Sequence, residues 1–304
     1  MIIIPPYLKK GDTIAIVCPA GYMPFEKAQT CIDTLQQWGY KVKVGKTLGN
    51  QFHYFSGTDE ERLNDLQQML DDDTVKAVLC ARGGYGLSRI IDALDFRKFK
   101  KNPKWIIGYS DVTVLHAHLY TKLKTASLHS PMAGAFNDGG NENEFVHSLR
   151  KALSGKAYSY SCATHELNRN GNTEAELIGG NLSLIVHLIG SASEINTKKK
   201  ILFLEDVGEY LYNIDRMFMQ LKRAGKLDDL AGLIIGGFTE MKDTTIPFGQ
   251  QVYELILDKI KEYNYPVCFD FPVSHSDRNY ALKVGIKHQF IVSNKKVVLK
   301  QAKF

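Results

Sequence analysis

Residues 105–113 read Trp-Ile-Ile-Gly-Tyr-Ser-Asp-Val-Thr, and this stretch predicts both the fold and a site. Its apolar residues 105–107 are typical of a buried strand, which ends at Gly108 before a helical pattern begins. A strand that ends in Gly-x-Ser and turns at once into a helix lifts the serine hydroxyl above the edge of the sheet, where it can reach a carbonyl carbon. We therefore interpret Ser110 as a candidate nucleophile.

A purely structural role of the same residues is the alternative. Serine and aspartate are preferred caps of helix N-termini, so Ser110 and Asp111 could simply satisfy the free amides of the predicted helix from Val112 to about Lys124. The stretch also departs from the Gly-x-Ser-x-Gly pattern of hydrolase elbows, because position 112 is Val. The local sequence alone leaves both roles open.

The order of apolar runs along the first half predicts an α/β fold. Strand-like runs alternate with segments of helical periodicity, and the runs lie at 13–18, 41–44, 75–80 and 105–108. One of the helices opens with the capping box Thr58-x-x-Glu61. Such alternation indicates a parallel sheet with helices on both faces and a ligand site at the carboxyl ends of its strands.

The composition changes near the middle of the chain, which at 304 residues exceeds the usual size of a single core. We assign residues 1–155 to a nucleophile-bearing α/β domain, the polar segment 156–172 to a linker, and residues 173–304 to a β-rich C-terminal domain. The C-terminal domain is expected to end in a β-hairpin formed by residues 289–293 and 296–299.

Charge, hydropathy and cysteine content exclude several classes of protein. The net charge of +5 is scattered along the chain, which argues against a nucleic-acid partner. The sequence has neither the apolar region of a signal peptide nor a run approaching the roughly 18 apolar residues that span a bilayer. Its five cysteines form no Cys-x-x-Cys pair and no zinc-type spacing. We expect a cytoplasmic protein without membrane contact, metal or cofactor.

A glycine-rich segment, Arg-Gly-Gly-Tyr-Gly at 82–86, follows the third predicted strand. Its backbone amides could cradle a phosphate or form an oxyanion hole, and the glycines could also serve only a tight turn. The segment lacks the Gly-x-x-x-x-Gly-Lys-Ser/Thr pattern, which disfavours a nucleotide. The position of Ser110 at the end of the next strand favours the oxyanion hole.

A serine nucleophile also needs a general base, and histidine has a suitable pKa. Of the nine histidines, seven have core or surface settings, and the loop candidates are His129 and His275, between which the residues alone do not decide. The carboxylate that orients a catalytic imidazole is expected at the end of an apolar strand, where Glu205 and Asp206 lie. Their alternative role is to cap the next helix or to face solvent.

Several of these segments, in this order, resemble the LD-carboxypeptidases, which are serine peptidases of the muramoyl-tetrapeptide carboxypeptidase and microcin-resistance type. The segments are Arg82 to Gly86, Gly108 to Asp111, Gly180 with Asn181, Leu204 to Asp206 with Arg216 downstream, and Pro272 to His275. The resemblance extends from Pro19 to about Gly285. The chain departs from the family pattern at Ser274, Ser130 and Lys283, where the family usually has Gly, Gly and Pro.

The resemblance implies a catalytic triad of Ser110, Glu205 and His275. It further implies an oxyanion hole formed by the backbone amides of Gly84 and Asp111. The implied fold is a flavodoxin-like or Rossmann-like N-terminal domain with a parallel sheet, followed by a β-rich C-terminal domain that carries the triad Glu and His. The implied assembly is a homodimer.

The implied reaction is removal of the C-terminal D-alanine from murein tetrapeptide in peptidoglycan recycling, so the expected partner is a small peptide substrate. Arg82 and Arg216 are the candidate cations for the terminal carboxylate, although each could instead be a structural ion-pair partner. One rival function is hydrolysis of a peptidyl or aminoacyl adenylate antibiotic. A rival of another class is a non-catalytic sensor of wall peptides.

Overall fold

The computed structural model describes residues 1–302, which divide into two compact units. The first unit contains Met1–Lys156 and, from much later in the chain, Tyr280–Val284. The second contains Ala157–Asn279 and the described residues from Gly285 onward. The segment 156–172, for which the sequence analysis expected a linker, contains a strand of the second unit.

The described residues form thirteen β-strands and eight α-helices. The strands are β1 (Thr13–Val17), β2 (Lys41–Val44), β3 (Val75–Cys80), β4 (Trp105–Gly108), β5 (Ser127–His129), β6 (Ser159–Cys162), β7 (Gly171–Asn181), β8 (Ile201–Val207), β9 (Gly232–Thr239), β10 (Val267–Cys268), β11 (Leu282–Val284), β12 (Lys287–Val292) and β13 (Val297–Gln301). The helices are α1 (Gln29–Gln37), α2 (Asp59–Asp71), α3 (Arg97–Lys101), α4 (Thr113–His118), α5 (Glu144–Leu153), α6 (Leu182–His187), α7 (Leu211–Arg223) and α8 (Val252–Ile260).

The first unit is built on a six-stranded sheet with the order β11-β5-β4-β3-β1-β2. All neighbours are parallel except the edge strand β11, which runs antiparallel to β5. The order β2-β1-β3-β4-β5 is that of flavodoxin-like folds, in which the strand order reverses next to β1. The predicted α/β fold is confirmed, and the reversal places the loops after β1 and β3 where such sheets bind their ligands.

Burial explains why the central strands read as continuous apolar runs. Every residue of β4 is buried, and its neighbour β3 is buried along almost its whole length, because helices cover a parallel sheet on both faces.

The predicted capping box of α2 is present: Glu61 N donates to Thr58 Oγ1 at 3.2 Å, and Thr58 N donates to Glu61 Oε2 at 2.7 Å.

The second unit is built on a seven-stranded mixed sheet with the order β10-β9-β8-β7-β12-β13-β6. Strands β7, β8, β9 and β10 are parallel, and the chain alternates between them and the helices α6, α7 and α8. The other half is antiparallel and contains the predicted terminal hairpin, in which Val292 pairs with Val297. The parallel half has its own carboxyl edge, at which β8 ends.

Two segments with helical periodicity differ from the expectation. The first segment, between the strand-like runs 75–80 and 105–108, forms two short 3-10 turns at Leu87–Arg89 and Ile91–Ala93. Its buried side chains Leu87 and Ile90, and Ile91 and Leu94, are three residues apart, which is the repeat of a 3-10 helix. The helix expected from 112 to about 124 begins with a 3-10 turn at Ser110–Val112, continues as α4, and ends in a π-helical turn at Leu119–Leu123. Within residues 1–302, no helix is long and apolar enough to cross a bilayer.

Candidate active site

Ser110 occupies a strained turn between β4 and α4. Its φ is +62°, in the left-handed region that non-glycine residues rarely adopt. Gly108 has a φ of +154°, and a Cβ there would lie 2.8 Å from Cγ2 of Val112. This close approach turns the chain sharply out of the sheet, which is the backbone geometry of a nucleophile elbow.

The capping alternative for Ser110 is not what the structure contains. The residues in the capping positions of the 3-10 turn and of α4 are Tyr109 and Val112, and neither side chain makes a capping hydrogen bond. Asp111 Oδ2 instead accepts a hydrogen bond from the amide of Leu87 at 2.8 Å. Asp111 therefore connects the elbow to the glycine-rich segment.

The glycine-rich segment lies directly against the elbow. A Cβ on Gly83 would lie 2.8 Å from the Cβ of Ser110, 3.0 Å from its Oγ and 3.3 Å from the amide nitrogen of Asp111. The carbonyl of Gly83 accepts a hydrogen bond from the amide of Gly21 at 2.9 Å, and Gly84 has a φ of +96°. A side chain at position 83 would collide with Ser110, so the backbone of this segment lies directly beside the Ser110 side chain.

Asp111 is a fully buried acid next to the glycine-rich segment. Burial raises the pKa of its carboxyl group to about 6, against the lowering effect of the Leu87 amide and the charge of Arg62. Arg62 is itself buried and donates to the carbonyls of Pro19 at 2.6 Å and Gly86 at 3.1 Å. These contacts fix the glycine-rich segment to the loop after β1.

The second unit holds Glu205 and His275 in direct contact. Nδ1 of His275 lies 2.5 Å from Oε2 of Glu205. Glu205 is fully buried near the end of β8, whereas the His275 side chain is 14% exposed. A buried acceptor at Nδ1 fixes the ring orientation and leaves Nε2 for proton transfer.

Both members of this pair have raised pKa values, for different reasons. Burial raises the pKa of Glu205, against the opposing charge and hydrogen bond of His275. Burial alone would lower the pKa of His275, but the charge and hydrogen bond of Glu205, together with the charges of Asp206 and Glu240, raise it. The carboxylate therefore stabilises the protonated imidazole.

The next residue, Asp206, has a structural role, although it neither caps the following helix α7 nor faces solvent, which were the alternatives for both acids. Its carboxylate accepts hydrogen bonds from Asn181 Nδ2 at 2.8 Å and from the amide of Ser183 at 2.9 Å. Asn181 in turn caps α6, because its Oδ1 accepts from the amide of Leu184 at 3.2 Å. Asp206 therefore holds the start of α6, and Glu205 faces the histidine.

A pair of glycines that the sequence analysis missed makes room for the histidine loop. A Cβ on Gly236 would lie 2.1 Å from the carbonyl oxygen of Val273, and one on Gly237 would lie 2.5 Å from the Cβ of Ser274. The amide of Gly237 also donates to the carbonyl of Val273 at 3.0 Å. Two consecutive glycines at the end of an apolar strand were the available signal for this close approach.

His129, the other candidate base, is part of the core. It was expected in a loop, but it is the last residue of β5 and pairs with Gly108 on one side and Leu282 on the other. Its ring is fully buried against those of Tyr109 and His116. The expectation of a loop histidine was wrong, since the return of β11 turns β5 into an inner strand.

The two candidate cations for a carboxylate are exposed and have local partners. The guanidinium of Arg82 donates to the carbonyl of Tyr22. The guanidinium of Arg216, on α7, donates to Asn213 Oδ1 and lies 5.6 Å from the ring centroid of Tyr212.

Among the described residues, no group of three or more His, Cys, Asp or Glu side chains could hold a metal ion.

A serine on a strained strand-to-helix turn and a buried Glu-His pair are the groups that serine hydrolases use. Comparison with known proteins identifies the family. A model described as the LD-carboxypeptidase N-terminal domain matches residues 14–130, and one described as the LD-carboxypeptidase C-terminal domain matches residues 174–290. The chain belongs to the LD-carboxypeptidase family, as the resemblance in its motifs indicated.

Individual relatives match nearly the whole chain. The probable murein peptide carboxypeptidase of Bacillus subtilis is 37% identical over 97% of this chain and 93% of its own length. The microcin C7 self-immunity protein MccF of Escherichia coli is 26% identical over 95% of this chain and 93% of its own length. Among solved structures, the muramoyltetrapeptide carboxypeptidase from Oxalobacter formigenes has a TM-score of 0.87 at 28% identity, covering 96% of this chain and 99% of that one.

Proposed function

We propose that the chain is a cytoplasmic serine LD-carboxypeptidase that removes the C-terminal D-alanine from murein tetrapeptide during peptidoglycan recycling. The observation that carries the proposal is the 2.5 Å contact between His275 and the buried Glu205. Ser110, at a φ of +62°, supplies the nucleophile. Relatives named as murein peptide carboxypeptidases support the choice of substrate.

In the first half of the proposed reaction, the hydroxyl of Ser110 attacks the carbonyl carbon of the peptide bond before D-alanine. Nε2 of His275 takes the hydroxyl proton and then gives it to the nitrogen of the leaving D-alanine. Glu205 accepts the hydrogen bond from Nδ1 throughout and stabilises the imidazolium. The raised pKa of His275 fits this role, since it marks a stabilised protonated ring.

The oxyanion of the tetrahedral intermediate is assigned to the backbone amides of Gly84 and Asp111. The closeness of Gly83 to the Oγ of Ser110 supports this assignment, because the same contact brings the glycine-rich segment to the nucleophile. Fixed amide donors stabilise such transition states by several kcal/mol, about 3 kcal/mol for one donor.

In the second half of the proposed reaction, water activated by His275 attacks the acyl-enzyme and releases the acyl group from Ser110. The proposed reaction uses no metal or cofactor.

A carboxypeptidase must recognise the terminal carboxylate of its substrate. Arg82 is the better candidate for this contact, because it flanks the glycine-rich segment and its guanidinium is exposed. Arg216 remains the second candidate for this contact.

The proposed assembly is a homodimer, which light scattering on the purified protein checks directly.

The experiment that tests the proposed function measures D-alanine release by the purified protein from tetrapeptides with diaminopimelate or lysine at the third position. The same peptides with a C-terminal amide, and the corresponding pentapeptides, are the matched controls. We expect hydrolysis of at least one tetrapeptide and rates lower by about tenfold or more on the controls, because the cation that pairs with the terminal carboxylate in the complex would lose its partner. Equal rates on all three forms would contradict the carboxypeptidase assignment.

The similarity to MccF favours one second candidate, hydrolysis of a peptidyl or aminoacyl adenylate. A parallel assay on an aminoacyl adenylate compares the two functions in the same preparation. Turnover of the adenylate without release of D-alanine would favour this candidate. Binding of tetrapeptide without turnover of either compound would instead indicate a wall-peptide sensor.

A further inference from the structure

A tight turn at residues 52–55 lies next to the glycine-rich segment of the first unit. Phe52 and Phe55 exchange backbone hydrogen bonds at 2.8 and 3.0 Å, and His53 has a φ of +55°. The turn is fixed to the loop after β1, since the carbonyl of Tyr54 accepts from the amide of Tyr22 at 3.0 Å. The amide of Ser56 donates to the carbonyl of Ala20 at 3.1 Å.

This anchoring directs Tyr54 at the glycine-rich segment. A Cβ on Gly84 would lie 2.7 Å from the hydroxyl oxygen of Tyr54, just as one on Gly83 would lie 3.0 Å from the hydroxyl oxygen of Ser110. Two hydroxyl groups therefore contact consecutive residues of one backbone segment. Tyr54 therefore lies against Gly84, the residue to which the oxyanion is assigned, next to the glycine that Ser110 contacts.

Tyr54 belongs to a group of exposed aromatic side chains, which we call the aromatic rim and define as Phe52, Tyr54 and Tyr85. They are 47%, 52% and 47% exposed, respectively. Large apolar side chains held open to solvent beside a candidate nucleophile indicate a binding surface. A tyrosine offers both a flat apolar face and a hydrogen-bond donor at low cost in side-chain entropy.

We propose that Tyr54 contacts the acyl part of the substrate, and that its hydroxyl donates a hydrogen bond to a carbonyl or carboxylate oxygen of the bound peptide. This inference rests on the proposed function and identifies the aromatic rim as the peptide-binding part of the site. The ring of Tyr54 packs on the peptide, and its hydroxyl fixes the position of the acyl group over Ser110. Loss of the hydroxyl therefore weakens binding of substrate and transition state together.

The test compares Tyr54→Phe with the control Tyr263→Phe, assayed on the tetrapeptide that the wild type hydrolyses. Tyr263 is a suitable control because it lies before the start of β10, at the amino end of the parallel strands of the second unit, and its hydroxyl donates to Asp228 Oδ1 at 3.0 Å. We expect Tyr54→Phe to lower kcat/KM by about 3- to 10-fold, the effect of one hydrogen bond, mainly through KM. Tyr54→Ala, which also removes the ring, lowers it further, and Tyr263→Phe stays within twofold of the wild type.

The possible results separate the inference from the proposed function. If the wild type releases D-alanine and Tyr54→Phe has the same kcat/KM, the inference is wrong and the proposed function stands. Equal losses in Tyr54→Phe and Tyr263→Phe would also overturn it, because the effect would then not depend on the position of Tyr54 beside the glycine-rich segment. A wild type inactive on every tetrapeptide contradicts the proposed function, and the inference fails with it.

Discussion

Nδ1 of His275 and Oε2 of Glu205 are 2.5 Å apart, and the carboxylate that makes this contact is fully buried. Glu205 belongs to β8, and the glycine pair Gly236 and Gly237 lets the histidine loop pack against the neighbouring strand β9. The pair is therefore held by backbone packing as well as by its own hydrogen bond. Its chemical consequences can be measured separately.

The pH dependence of activity should reflect the raised pKa of His275. A general base must be neutral, so activity falls as the pH drops through the pKa of the imidazole. Because Glu205 raises that pKa, the acid limb of kcat/KM should lie above the usual histidine value of about 6.5. A pH profile on the tetrapeptide measures it. An acid limb at or below 6.5 would contradict the assigned contact.

Glu205→Gln should keep the hydrogen-bond acceptor but lose the charge. We expect kcat to fall by about 10²- to 10⁴-fold, less than in Ser110→Ala or His275→Ala, because an orienting group is often worth less than the groups it orients. The remaining activity should have its acid limb at lower pH, since the carboxylate no longer raises the pKa of His275. An unchanged acid limb would show that His275 is not the base that limits the rate.

The two candidate histidines should behave differently on substitution. His275→Ala should be nearly inactive, because it removes the proposed general base. His129→Ala should keep measurable activity but lose about 3 kcal/mol of unfolding free energy, because it leaves a cavity in the core. Activity and chemical denaturation of both variants test this ranking. The reverse ranking of activity would assign the base to His129.

Gly83→Ala should impair catalysis through steric displacement of Ser110. The added methyl group would meet the Cβ of Ser110 at 2.8 Å, and a shift of about 1 Å at a reacting group can cost about 100-fold in rate. Gly134→Ala is the matched control, because a Cβ there has nothing within 4 Å. We expect a loss of about 100-fold in kcat/KM for Gly83→Ala and near wild-type activity for the control. Comparable activity in both variants would separate the glycine-rich segment from the nucleophile.

Local sequence patterns were sufficient to predict the repeating part of the fold. The apolar run that ends at Gly108, the capping box at Thr58 and the terminal hairpin all depend on neighbours within a few residues. The return of Tyr280–Val284 into the first sheet could not be predicted in this way. Its pairing with β5 joins residues about 150 positions apart, and no local periodicity encodes such a contact.

The same distinction applies to the candidate site. The Gly-x-Ser turn at Ser110 is a local signal, whereas the choice between His129 and His275 depended on which loop the folded chain buries. The close packing at Gly83 and at Gly236 was equally hidden, because the sequence identifies a glycine but not the side chain that faces it. The raised pKa of Asp111 has the same origin, since burial rather than sequence position causes it.

D-alanine release from murein tetrapeptide by the wild type and by Ser110→Ala tests the central claim most directly. The substitution removes one oxygen atom, so circular dichroism and thermal unfolding should match those of the wild type. We predict that the wild type releases D-alanine and that Ser110→Ala loses activity by several powers of ten, because the triad cannot act without its nucleophile. A folded Ser110→Ala protein that kept a tenth of the wild-type rate would contradict the assignment of Ser110 as the nucleophile.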